Sequence, residues 1–84
     1  MINDQELFQI LQTLVDAWCE RQALQPLRCI LRGYPLVNPL TDGWADLITA
    51  LRDVRAFARE QVTPEELKSV DECIRAIDRI VHRH

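Results

Sequence analysis

The chain is expected to fold as an all-α domain, a small antiparallel bundle of three long helices and one short helix. Three observations predict it. Two stretches carry full helix-start signals, apolar residues recur at intervals of three and four through most of the chain, and no stretch alternates with the period of a strand. The clearest start signal is Val62-Thr63-Pro64-Glu65-Glu66-Leu67. Thr63 can accept from an early backbone N–H and Glu66 can reach back to the N–H of Thr63, with proline at the first helical position and Val62 and Leu67 placed to staple the incoming chain.

The first helix is expected over about 4–23. Asn3 is its cap, Glu6 the reciprocal partner, and Ile2 stands against Leu7. Leu7, Leu11, Leu14 and Trp18 form its apolar stripe, with Ile10 and Val15 widening it and Gln5, Gln9, Gln12, Asp16 and Glu20 on the wet side. A short second helix is expected over about 26–32, with Pro26 at its first position and Gly33 in the left-handed position after its end. So short a helix is unstable alone and must pack through Leu27, Ile30 and Leu31.

Residues 34–41 hold Pro35 and Pro39 and are irregular, although Leu36, Val37 and Leu40 make the segment too apolar for a free linker, so it should lie across the bundle. The third helix is expected over about 42–60. Trp44, Leu47, Ile48, Leu51, Val54 and Ala58 form its stripe, with Phe57 alongside. Asp42 and Asp46 near its start and Arg52, Arg55 and Arg59 towards its end complement the helix dipole. The fourth, over about 64–82, places Leu67, Val70, Ile74, Ile77 and Val81 on one side, broadened by Cys73 and Ile80. The joint before it is too short for anything but an antiparallel hairpin.

Eighty-four residues make one domain, 1–84, and a hydrophobic content of 48% supplies a core, though a small one, so self-association that buries further apolar surface is a reasonable expectation. A formal charge of −3 and a pI near 5.2 argue against phosphate binding as the main role. Nine of the ten bases are arginine, which genomic base composition explains more simply than a choice for bidentate pairing. Cys19, Cys29 and Cys73 are odd in number, widely spaced and free of any CxxC pair, and each falls in an apolar stripe, where cysteine acts as a small hydrophobe. A reducing cytoplasm fits them. The acidic N-terminus lacks the basic and apolar regions of a signal peptide, and no apolar run approaches the ~18 residues of a membrane span.

Two groups of residues are candidates for binding. Arg32, Tyr34, Asn38, Asp42 and Trp44 cluster around the proline-bearing loop and have residue types that dominate protein interfaces. The competing reading makes Tyr34 and Trp44 the capping core of one bundle end. Gly43, in the first turn of its helix, invites a close backbone approach. Arg52, Arg55 and Arg59, with Arg75 and Arg79 on the fourth helix, form arginine stripes that could meet phosphates or an acidic partner, against the simpler reading of solvated, neutralised faces. Trp18 reads as core, and His82 and His84 as a tail without a third ligand. There is no HExxH, GxSxG or glycine-rich phosphate loop, so no catalytic residue, metal or cofactor is expected. The expected function is a non-catalytic protein-interaction or regulatory module of a bacterial cytoplasm, docking on a protein partner or a second copy of itself. The alternative is a nucleic-acid-associated regulator using the arginine stripes.

Overall fold

The computed structural model describes residues 3–34 and 41–81, apart from the side chains of Thr41 and Asp42. Four α-helices follow one another: α1 (Asp4–Arg21), α2 (Leu24–Ile30), α3 (Thr41–Phe57) and α4 (Pro64–Val81). A 3₁₀ turn at Arg59–Gln61 lies between the last two. They close into a ring in which α2 packs on α1 and α3, and α4 on α3 and α1. No strand occurs among the described residues. The expected all-α bundle is the fold observed.

The stripes meet in the middle. Leu7, Leu11, Leu14 and Trp18 of α1, Leu47, Leu51 and Val54 of α3, and Val70, Cys73 and Ile77 of α4 are all buried in one cluster, which Ile30 of α2 joins. At one end of the bundle the Phe8 ring stacks on Trp44, with centroids 5.7 Å apart and planes 26° from parallel, tying the starts of α1 and α3 together. At the other end the joints between α1 and α2 and between α3 and α4 lie side by side, where the backbone N–H of Gln25 donates to Gln61 Oε1 at 3.1 Å.

The helix starts follow the side chains that cap them. Asn3 Oδ1 accepts from the Glu6 N–H at 2.8 Å. Thr63 Oγ1 accepts from the Glu66 N–H, and Glu66 Oε1 accepts from the Thr63 N–H, both at 3.1 Å, so the capping box forms in both directions. The helix ends differ from expectation. Helix α1 stops at Arg21, because Gln22 adopts the left-handed conformation (φ 57°, ψ 38°), and the N–H groups of Gln22 and Ala23 return to the carbonyls of Cys19 and Trp18. These two bonds make a Schellman stop built without glycine. Helix α2 therefore starts at Leu24, and Pro26 is its third residue rather than its first. Proline is accommodated there because the N–H groups of a first turn have no intrahelical partner. The last turn expected of α3 is instead the 3₁₀ turn.

Gly33 also serves a purpose other than the expected one. Its φ is not positive. A Cβ at this position would stand 2.5 Å from the carbonyl oxygen of Asp46 and 2.7 Å from the Cα of Leu47, so the end of α2 lies directly against the backbone of α3. Gly43, where a close approach is expected, is buried in the first turn of α3. Three apolar assignments also change. Leu31 and Phe57 point outward rather than into the bundle, and Cys19 is exposed on α1 rather than within its stripe. The segment of Pro35 and Pro39, His82, His84 and the Ile2 staple lie outside the described residues.

Two substitutions test these backbone readings. Gly33→Ala should cost roughly 1–3 kcal/mol, seen as a lower urea midpoint at unchanged slope, because backbone on both sides must separate; a neutral result would mean that α2 does not sit so close to α3. Gln22→Gly should raise the midpoint by up to about 1 kcal/mol by removing left-handed strain, and a loss would contradict the left-handed stop.

Candidate docking surface

The residues expected to form a binding loop are distributed differently in the structure. Trp44 is buried, with 9% of its surface exposed, and its ring is occupied by Phe8, so it stands in the core rather than on the surface. Tyr34 is half-buried and its hydroxyl donates to Gln12 Oε1 at 2.8 Å; burial first, and then the nearby Asp16 carboxylate, push its pKa up. Arg32 is exposed at the end of α2 and lies 3.9 Å from Asp53, a loose ion pair. Asn38 and the Asp42 side chain lie outside the described residues. Of the five, Arg32 is the described residue that presents its side chain largely to solvent.

The arginine stripes are interleaved with acids. Arg55 reaches Asp71 Oδ1 at 3.3 Å across the α3–α4 seam, while Arg52, Arg59, Arg75 and Arg79 are exposed. Asp53, Glu60, Glu72 and Asp78 stand beside them in sequence. Pairs this exposed add little stability.

The densest polar cluster serves the fold. Glu66 Oε1 accepts from Trp18 Nε1 at 3.1 Å, and Arg21 grips both carboxylate oxygens, at 2.6 Å and 2.9 Å, while also donating to the Gln61 carbonyl. The Arg21 guanidinium above all, with help from the Thr63 N–H and the Trp18 indole, holds the Glu66 carboxyl at about 2, against the ordinary 4.5, despite its partial burial. The neighbouring open crevice of about 440 Å³, lined by Arg21, Gln22, Glu60 and Gln61 among others, has its cation engaged in this way.

Two of the thiols, Cys29 and Cys73, are held away from the reactive thiolate. Burial, with the Glu72 carboxylate, pushes Cys73 up to about 12, and burial, with Asp53, raises Cys29 against a smaller opposing effect of Arg32. Among the described residues no three His, Cys, Asp or Glu side chains gather as metal ligands would, and no helix is long and apolar enough to cross a membrane.

Sequence periodicity passed over a different surface. Leu24 and Leu31 are 58% and 53% exposed, and Phe57 is 74% exposed. Leu24, Arg28 and Leu31 recur at i, i+4 and i+7, which places them on one outward stripe of α2. Phe57 lies one turn beyond Asp53, on the flank of α3 that meets Arg32, and just before the 3₁₀ turn that holds Gln25. The apolar stripe thus faces outward from α2, and the exposed ring stands at the end of α3, the helix on which α2 packs. The sequence signal was partial: Leu24 falls on the side of α2 away from Ile30, whereas Leu31 and Phe57 stand at the margins of their stripes, beside Leu27 and Val54.

No protein-family model matches the chain, and comparison with curated proteins and solved structures finds no similar protein.

The Glu66 cluster makes stability depend on pH with a definite sign. Its folded pKa is depressed, so its contribution is complete above about pH 5.5 and is lost as pH falls towards 2. Of the about 3 kcal/mol implied, about 2 kcal/mol should be gone by pH 3. Glu66→Gln should lower the urea midpoint at pH 7 and flatten its fall between pH 6 and pH 3. Equal slopes for the two proteins would contradict the assignment.

Proposed function

We propose that the protein is a non-catalytic interaction module that docks through the outer stripe of α2 and the exposed end of α3. The observation that carries this reading is the exposure of Leu24, Leu31 and Phe57 in a chain whose other large apolar side chains are buried or half-buried among the described residues. Single exposed leucines are ordinary on protein surfaces, but three large exposed side chains on two helices that pack together are the composition of a contact surface. Leu24 and Leu31 are unneeded by the core, since the inner face of α2 is already filled by Pro26, Leu27 and Ile30.

Both a foreign protein and a second copy fit this reading, and a small domain gains stability from either. A reducing bacterial cytoplasm is the proposed compartment, supported by three free cysteines of which Cys19 is exposed. The arginines of α3 and α4 lend less support to a nucleic-acid role, being interleaved with acids.

The test is the combined variant Leu24→Ser, Leu31→Ser and Phe57→Ser. Its helix content should be unchanged and its stability within about 1 kcal/mol of the parent. In-cell cross-linking should then lose the partner that the parent captures, or light scattering should show a parent dimer become a monomer. An unchanged set of cross-linked partners together with an unchanged mass would rule out this surface, and unfolding would show these side chains to be core.

A further inference from the structure

We infer that the occupant of this surface is an acidic amphipathic helix supplied by a partner protein, an inference that rests on the docking reading above. Charge is segregated in this chain. Residues 21–59 carry Arg21, Arg28, Arg32, Arg52, Arg55 and Arg59 against Asp42, Asp46 and Asp53, whereas the remainder holds ten of the thirteen acids and four of the ten bases. The middle of the sequence is thus net basic in a protein of net charge −3; Arg21 and Arg55 face Glu66 and Asp71, which leaves Arg28, Arg32, Arg52 and Arg59 exposed in the segment that holds the exposed apolar side chains.

The arrangement is finer than net charge. Helix α2 has no acidic residue. Arg28 stands between Leu24 and Leu31 on their stripe. Arg32, whose side chain is 74% exposed, projects on the α3 side, and its 3.9 Å separation from Asp53 is too long for a tight bidentate pair. Arg59 is exposed two residues beyond Phe57. The acids near them are Asp53, already facing Arg32, Glu60, and Asp46, which is exposed and whose carbonyl lies against Gly33.

Arginine stems lie along apolar surface while their planar heads seek carboxylates, so leucine and phenylalanine interleaved with arginine select a ligand that is apolar on one side and acidic at its margins. Leu24 and Leu31 are two turns apart, about 10 Å along the axis. That distance matches a ligand helix offering apolar residues at i, i+3 or i+4, and i+7, with Glu or Asp beside them. A nucleic acid has no use for the apolar stripe. An anionic bilayer would also have to approach the acid-rich α1 and α4 of a net-acidic domain, which disfavours it.

The experiment is a display selection against the intact chain, using peptides of about 18 residues with apolar side chains at i, i+3, i+4 and i+7 and flanking positions drawn from Glu, Lys and Ser. Glutamate should be enriched at the flanks. The selected peptides should bind saturably in fluorescence anisotropy, weaken with added salt, and lose about tenfold or more in affinity to the Leu24→Ser/Leu31→Ser/Phe57→Ser variant. Arg28→Glu/Arg32→Glu should reverse the preference towards lysine flanks. Enrichment of lysine, indifference to flank charge, or no selected peptide at all would overturn the inference, as would phosphatidylserine vesicles binding through the same residues in place of any peptide. Flank-indifferent peptides that still require Leu24, Leu31 and Phe57 would remove the acidic preference while leaving the docking surface in place. Binding that ignores those three residues would remove both.

Discussion

One carboxylate organises this fold. Glu66 is the third residue of α4, and its side chain receives the Thr63 N–H, the Trp18 indole and the Arg21 guanidinium together. The first contact is local and starts a helix. The other two come from a helix more than forty residues earlier and fix where α4 sits against α1. Burying part of a carboxylate is unfavourable, and here the desolvation is outweighed because each oxygen has a charged donor. Trp18 benefits in turn. Its ring is wholly buried, and its N–H would otherwise lack an acceptor in an otherwise apolar core.

This arrangement concentrates the polar chemistry of the interior at one end of the bundle and leaves the rest to packing. Among the described residues the wholly buried side chains are apolar, although one carboxylate oxygen of Asp71 is buried at the α3–α4 seam, 3.3 Å from Arg55. Helix α2 is too short to persist alone, and it is held by the contact of Gly33 with α3, by the burial of Pro26 and Ile30, and by the Gln25–Gln61 bond. With its inner face fixed at three points, its outer face is free to carry Leu24, Arg28 and Leu31. The structural role and the proposed binding role therefore occupy opposite sides of α2 and the few residues that follow it.

Much of the fold was legible in the sequence, since a cap or an apolar stripe is a local pattern with a local physical cause. The Thr63–Glu66 box, the Asn3 cap and the stripes of α1, α3 and α4 are of this kind. The stop at Gln22 was not legible, because a left-handed residue other than glycine or asparagine carries little sequence signal and is held there by the Ala23 and Trp18 packing around it. Gly33 signalled a special backbone, but only the position of α3 distinguishes a left-handed turn from a close crossing. The candidate site was read less well. Aromatic, proline-flanked residues such as Tyr34 and Trp44 fit a bundle end and an interface equally by type, and the Phe8 stack that decides for Trp44 is a tertiary contact. Leu31, an expected anchor of the short helix, and Phe57, alongside the α3 stripe, each lie at a stripe margin, where the placement of the neighbouring helix settles exposure.

The account depends most on Glu66 being ionised and gripped in the folded state, and its carboxyl titration is the most direct measurement. A carbon-detected NMR titration of the folded protein should place the Glu66 midpoint near 2, with the Trp18 indole N–H signal shifting at the same pH. A midpoint at the ordinary 4.5, or an indole that ignores it, would show that this carboxylate does not join α1 to α4.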